Sequence, residues 1–333
     1  MDFLTPLGPG DRLGPYSIVR TLGEGGMGVV FEARGLTDRR SVALKVLSSW
    51  LATELGRARF EREVNACMQL THPNIVRILD CGEADDGTLW YAMEYLDGWD
   101  LKQLVELDGA QSPARTIRIL SQIAGALADA HEHGLIHRDI KPPNILLCGA
   151  DGVPDTAKLV DFGLVSPILG AGEHRVTLEG NVIGTPRYVA PEMLRPTVVL
   201  SPATDFYALG LVAYYLLSGR HAFDGASAAE ILAKQQHDEP TPLRALVPSL
   251  PADLVSVVAW CLDKDPAKRP QSGRALQDAL QECEDADRWD RDVAAEWWDA
   301  WRERPLDDTG PGVAAPSFAA RLGRDASDHP AEN

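Results

Sequence analysis

The sequence predicts an α+β fold in two lobes, a small antiparallel sheet followed by a larger helical lobe, with a cleft between them. Three observations carry this. Short β-branched runs dominate from Tyr16 to Glu94, and the hydrophobic period turns helical after Asp100. A Gly- and Pro-rich stretch of about seventy residues separates the two clearest helices, long for a mere connection and therefore a place to look for function.

The strands come first. Tyr16–Leu22, Val29–Ala33, Val42–Leu47, Ile75–Cys81 and Leu89–Met93 are five runs suited to a pleated surface, with Asp86-Gly87 as a hairpin turn between the last two. One helical pattern interrupts them: Phe60, Val64, Cys67 and Met68 recur at i, i+4, i+7 and i+8 before His72-Pro73 stops the run. Beyond Asp100, Ile117, Leu120, Ala124 and Leu127 share one face of a helix that ends near Gly134. Asp205 to Ser218 is apolar almost all round and stops at Gly219, the pattern of a helix buried on every side at the axis of its lobe.

Composition narrows the function classes. A chain of 333 residues that is 45% hydrophobic can bury a sizeable core, which excludes wholesale disorder and a disulfide-stapled mini-protein. With 32 Lys and Arg against 49 Asp and Glu, the net charge of −17 argues against a broad grip on nucleic acid or anionic membrane. Much of the excess is local, since residues 282–308 hold eleven acidic and four basic side chains. Five cysteines, odd in number and without a CxxC, point to a reducing cytosol instead of a disulfide framework or a thiolate zinc site. Met1-Asp2-Phe3-Leu4 lacks the start of a signal peptide, and the longest apolar run, Ala208 to Leu217, is far short of a membrane span. A cytoplasmic protein with no nucleic-acid partner and no membrane span is expected.

Several segments carry chemistry. Gly23-Glu24-Gly25-Gly26-Met27-Gly28-Val29-Val30 sets a GxGxxGxV pattern between two strands, where glycines let backbone N–H groups approach phosphate oxygens. The alternative is a plain glycine-rich hairpin; a dinucleotide fold is disfavoured because strand, not helix, follows the loop. Lys45 lies mid-strand in Val42-Ala43-Leu44-Lys45, and burying its ammonium needs an anionic partner. Nucleotide phosphates or Glu63, on the following helix, could serve, although Glu63 also reads as a solvated helix residue.

The decisive segment is Ile136-His137-Arg138-Asp139-Ile140-Lys141-Pro142-Pro143-Asn144, followed by Asp161-Phe162-Gly163 and Ala190-Pro191-Glu192. With the glycine loop and VAxK, these match five protein-kinase signatures in order over about 170 residues. From about Asp11 to Gln281 the chain resembles the protein kinases. GEGGMG and GTPRYVAPE look most like the eukaryotic-like serine/threonine kinases of bacteria. The resemblance implies a bilobal kinase domain over 11–281, with a small lobe at 11–94, a hinge at 94–98 and a large lobe at 99–281. It implies ATP and magnesium, or manganese in its place, acting on Ser/Thr hydroxyls of protein substrates, with autophosphorylation in the activation loop and a part in signal transduction.

Matched residue by residue, Lys45 should hold the α- and β-phosphates and pair with Glu63. Asp139 should orient or deprotonate the acceptor hydroxyl, Lys141 should neutralise the γ-phosphate, and Asn144 and Asp161 should hold the metal. Gly23, Gly25 and Gly28 cover the phosphates. Leu22, Val30, Ala43 and Leu146 should contact adenine, Met93 should be the gatekeeper, and Glu94 and Leu96 should offer hinge backbone. Lys141 and Gly184-Thr185-Pro186-Arg187-Tyr188 resemble serine/threonine kinases more than tyrosine kinases. The rival class, a pseudokinase scaffold that binds nucleotide without turnover, usually lacks Lys45, Asp139 or Asp161, and all three are present.

Arg138 beside Asp139 would receive an anion from the activation loop, with Thr177 as the main phosphorylation site and Thr185 in the substrate pocket. Glu179 stands where bacterial relatives often carry a second threonine. Asp205 resembles the aspartate that anchors the catalytic-loop backbone, and Arg269 the arginine that pairs with Glu192. His131, His133 and His137 have spacing that could suggest metal, but they fall at a helix end and in the catalytic loop, where structural roles suffice. Asp100, near the hinge, could favour basic substrates.

Residues 1–10 look like a flexible lead-in, and 305–333 a disordered tail. Between the kinase region and the tail, at 282–304, Trp289, Val293, Trp297 and Trp301 recur every four residues, giving an acidic helix with an aromatic stripe. It either packs back on the helical lobe or offers Trp289, Trp297 and Trp301 as a docking surface for a partner.

Overall fold

The computed structural model describes residues 7–25, 28–47, 54–149, 153–162, 186–195 and 200–302. The first lobe is a six-stranded antiparallel sheet, β1 (Arg12–Leu13), β2 (Tyr16–Gly25), β3 (Gly28–Gly35), β4 (Ser41–Leu47), β5 (Ile78–Glu83) and β6 (Leu89–Glu94), in the order β1-β2-β3-β4-β6-β5. Helix α1 (Glu54–Cys67) lies between β4 and β5 in sequence. Five strands were expected; the sixth, β1, is two residues long and too short to leave an alternation in the sequence. Residues 7–10, expected as a flexible lead-in, are held because Gly10 N donates to Ile18 O and Leu7 packs on the sheet. Ile75 makes a parallel bridge to Leu159 instead of opening β5.

Both faces of this sheet are covered, which is why β4 reads as a continuous apolar run. On the outer face, Leu13, Tyr16, Ala33, Val42, Leu44, Trp90 and Ala92 form a separate cluster. The alternate residues Ala43 and Leu47 of β4, and Leu89, Tyr91 and Met93 of β6, join the main core on the other face. Lys45 shares that second face by the same alternation. In α1, Phe60, Val64 and Cys67 are buried as expected, but Met68 lies just past the helix and is 38% exposed.

The second lobe opens with β7 (Gly98–Asp100), α2 (Leu101–Asp108) and α3 (Pro113–Glu132). Ser112 caps α3 by accepting from Arg115 N, and Pro113 occupies its first turn, where a missing N–H costs nothing. Strands β8 (Ile145–Cys148) and β9 (Thr156–Leu159) complete a small sheet in the order β7-β8-β9. Helix α4 (Pro202–Ser218) is buried at every position from Ala203 to Leu217 and ends at Gly219 with φ 67°, as its all-round apolarity and terminal glycine predict. Helix α4 packs on α3, α6 (Leu243–Leu246) and α7 (Ala252–Cys261), is bonded to α5 (Ala228–His237) through Tyr207 and Gln235, and α8 (Gly273–Gln281) packs on α3.

The last described element, α9 (Arg291–Arg302), lies against this lobe. Its anchor is buried and charged. Arg115 of α3 donates from Nε and an Nη atom to the two oxygens of Asp155, each at 2.8 Å, with side chains 1% and 0% exposed. Trp289 and Trp298 donate their indole N–H groups to the same carboxylate at 2.7 Å. The Arg115 guanidinium stacks 3.7 Å from the Trp297 ring centroid, and Trp301 meets Trp99 edge-on. The stripe therefore packs inward. The most buried tryptophan of α9 is Trp298, at 6% exposure, whereas Val293 is 37% exposed, so the inward face is rotated from the one the four-residue spacing indicated.

Candidate active site

The cleft side of the sheet carries Lys45, and strand pairing decides what surrounds it. Lys45 lies opposite Val30 on β3 and Tyr91 on β6. Its Nζ is 2.8 Å from Asp161 Oδ2, with the two side chains 9% and 26% exposed. Tyr91 donates its hydroxyl to Asp161 Oδ1 at 3.0 Å. Burial works against ionisation of Asp161, but the charge and hydrogen bond of Lys45, the Tyr91 hydroxyl and Lys141 outweigh it, and the carboxyl is held below its usual range. Asp161 adopts φ 57°, a left-handed backbone at a non-glycine residue, and so does Arg138 at 68°. Such strain persists only where surroundings over-determine it.

The expected Lys45–Glu63 pair is not the one formed here. Glu63 Oε1 accepts from Arg59 Nε at 3.1 Å, one turn earlier on α1, and its Oε2 is buried without a hydrogen-bond partner among the described residues. The reason is electrostatic. Asp161 has taken Lys45, and the carboxylate of Glu63 faces the arginines, its charge being the main influence that opposes the burial-driven fall in Arg138 basicity.

Residues 137–144 are fixed from behind. Asp205, on buried α4, accepts the backbone N–H groups of His137 and Arg138 at 2.9 and 2.8 Å, and the His131 ring at 2.8 Å. The His137 ring spans to Val160 O at 3.0 Å and accepts from Asp139 N at 3.3 Å through Nδ1, which assigns its proton to Nε2. Burial lowers its basicity below that of an ordinary imidazole, against the nearby charges of Asp205 and Asp139. Phe162 packs on it with ring centroids 4.6 Å apart. These bonds, together with the Asp129 carbonyl at His133, give each of the three histidine rings a protein partner.

This frame presents Asp139. Its Oδ2 accepts from Lys141 Nζ at 2.7 Å and from Asn144 Nδ2 at 3.0 Å. Asn144 spends its second amide hydrogen on Asp139 O at 2.8 Å, so both its donors are used and its amide oxygen is the atom that could hold a cation. Two oxygen donors, Asn144 and the part-exposed Asp161, suit a hard divalent cation that takes its remaining ligands from phosphates. Gly23 and Gly25 have open space where a Cβ would project, which fits an approach by phosphate groups. Gly28 has a different reason to be glycine: with φ +141°, its Cβ would collide with the Val46 carbonyl.

Ala43, Met93 and Leu96 are buried in the main core, and Leu22, Val30 and Leu146 pack on it part-exposed. Glu94 is tied to Lys158 at 2.7 Å and receives the backbone N–H of Arg77, so its carboxylate is committed to structure. The Asp100 carboxylate caps α2 by accepting from Gln103 N at 2.9 Å. Arg269 forks onto Glu192 through two bonds of 2.8 Å, as the sequence indicated. Thr177, Thr185 and Glu179 lie outside the described residues. Sequence reasoning missed Tyr91; its only signal was a tyrosine two positions before Met93 on a strand whose partner was not yet known.

A family model described as the protein kinase domain matches residues 16–281. The chain belongs to the protein kinase family. Among curated kinases it is 39% identical to the serine/threonine-protein kinase pkn3 of Myxococcus xanthus over 80% of this chain and 49% of that one. It is 35% identical to PrkC of Bacillus subtilis, over 83% and 41%, and 38% identical to PknB of Mycobacterium tuberculosis, over 82% and 43%. The chain thus spans less than half the length of these kinases. A crystal structure of the PknI kinase domain of Mycobacterium tuberculosis aligns with TM-score 0.66 at 33% identity, covering 83% of this chain and 99% of that one. The bilobal α+β kinase fold follows from both comparisons. Helix α9 lies beyond the matched kinase region yet packs on it. No helix among the described residues is long and apolar enough to cross a membrane.

Proposed function

We propose that this chain is a catalytically competent serine/threonine protein kinase, transferring the γ-phosphate of ATP to Ser and Thr hydroxyls of proteins. The observation that carries the proposal is the Asp139 carboxylate, held by Lys141 and Asn144 in the cleft that also contains the Lys45–Asp161 pair. Phosphoryl transfer needs positioning and charge, and these are the groups for it. Asn144 and Asp161 would hold magnesium, or manganese in its place. When bound, the metal neutralises charge on the phosphates.

Lys45 leaves Asp161 for the α- and β-phosphates, and Glu63 then becomes its protein partner. Lys141 meets the γ-phosphate, and Asp139 orients the acceptor hydroxyl. Leu22, Val30, Ala43 and Leu146 enclose the adenine, with Met93 behind it and the Glu94 and Leu96 backbone at the hinge. Phosphorylation at Thr177 supplies an anion to Arg138, whose Nε is buried without a hydrogen-bond partner among the described residues. Thr185 completes the substrate pocket. A cytoplasmic home for the domain is supported by five free cysteines, four of them buried. The Trp289, Trp297 and Trp301 rings are spent on Asp155, Arg115, Asp108 and Trp99, so nothing favours a partner there.

The test is incubation with labelled ATP, magnesium and a basic protein substrate, followed by identification of the labelled residues. Phosphoserine or phosphothreonine from the wild type and none from Asp139→Asn is the expected result. Equal labelling in both proteins, label on tyrosine, or a folded wild type that binds ATP without turnover would refute it; the last outcome describes a scaffold.

A further inference from the structure

Tyr91 places a hydroxyl where polarity is costly. The side chain is 1% exposed, lies opposite Lys45 on the next strand, and packs on Phe60 of α1 with ring centroids 6.4 Å apart. A phenylalanine would fill this space without desolvating an O–H group. The hydroxyl instead donates to Asp161 Oδ1 at 3.0 Å, while Lys45 Nζ holds Oδ2 at 2.8 Å. A carboxylate oxygen can only accept, so the Tyr91 hydroxyl acts toward Asp161 as the donor.

The two holders of Asp161 differ in kind. Lys45 is a charge on a flexible four-carbon stem with three rotatable donors. Tyr91 stands on a strand paired on both sides, by β4 and by β5, and its ring is wedged between Lys45 and α1. When Lys45 is drawn away by phosphate, a carboxylate that is 26% exposed would be free to rotate, unless something rigid keeps its other oxygen.

We propose that Tyr91 is a positioning residue for metal binding: its buried hydroxyl fixes the direction of the Asp161 carboxylate independently of Lys45. This rests on the reading that Asp161 holds the divalent cation. One hydrogen bond to a charged group is worth about a tenfold change in binding, and Tyr91→Phe removes that bond while keeping the ring.

The experiment titrates Mn2+ into wild type, Tyr91→Phe and Asp161→Asn with a non-hydrolysable ATP analogue present, reading free metal by electron paramagnetic resonance. Tyr91→Phe should weaken Mn2+ binding about tenfold, yet bind the analogue in EDTA within about twofold of wild type. In phosphate transfer, half-saturating magnesium should rise about tenfold while kcat falls by less than about threefold. Tyr91→Met, a second variant that keeps the site apolar, should show the same shift. Unchanged Mn2+ affinity in Tyr91→Phe would overturn the proposal, and so would an equal loss of metal and metal-free nucleotide binding. Asp161→Asn separates the two levels: if it binds Mn2+ like wild type, the reading of Asp161 itself has failed.

Discussion

Glu63 and Lys45 are each paired with a neighbour other than the expected one. Glu63 holds Arg59 and buries an unpartnered Oε2, while Lys45 holds Asp161. On the proposed function both pairs would exchange when ATP binds, and a glutamine at 63 could not offer Lys45 a charge. Glu63→Gln should lower kcat by roughly a hundredfold, the scale of a misplaced catalytic group, with little change in thermal stability. A turnover assay beside a melting curve checks both, and full activity would contradict it. Lys45, Asp139, Asn144 and Asp161 were legible in the sequence because each sits at a fixed spacing inside a motif. Tyr91 was not, because its role depends on which strand lies beside β4. The capping of α2 by Asp100 was not read from the sequence either, because it depends on where that helix starts.

Helix α9 shows the same division at the scale of elements. Its aromatic period was visible, but its docking site was not. Arg115 and Asp155 are 40 residues apart in sequence, and nothing in the run around Asp155 marks it as the buried acceptor of four donors. Trp298 also lies directly on the backbone of Gly149, where a Cβ would come within 2.8 Å of the ring. Trp298→Ala should therefore lose an indole's packing and one bond to a buried carboxylate, costing about 3–5 kcal/mol. Urea unfolding should show an unfolding free energy lower by that amount, seen as a lower midpoint at unchanged slope. An unchanged midpoint would mean that α9 is dispensable to the lobe. The strands of the small lobe and the all-round burial of α4 were legible for a simpler reason, because period and length encode them directly.

For the whole molecule, acidity and stability can be connected. His72, His137 and His221 each have basicity lowered from the ordinary 6.5, by burial foremost. In acid the unfolded chain then binds more protons than the folded one, so their contribution is complete above about pH 6.5 and is lost as pH falls below it. The melting temperature should drop as the pH is lowered from about 7 to about 5; a flat or rising profile in a pH series of melting curves would contradict this. The net charge of −17 does not describe the catalytic cleft, which gathers Lys45 and Lys141 around Asp139 and Asp161. On the proposed function this cleft transfers phosphate, and Asp139 is indispensable to the transfer. The most direct test is the turnover of a serine-containing protein substrate by wild type and by Asp139→Asn, with ATP affinity measured on both. In Asp139→Asn, ATP affinity should be retained while kcat falls by at least about a thousandfold, roughly 4 kcal/mol of barrier; equal turnover by the two proteins would contradict a catalytic role for Asp139.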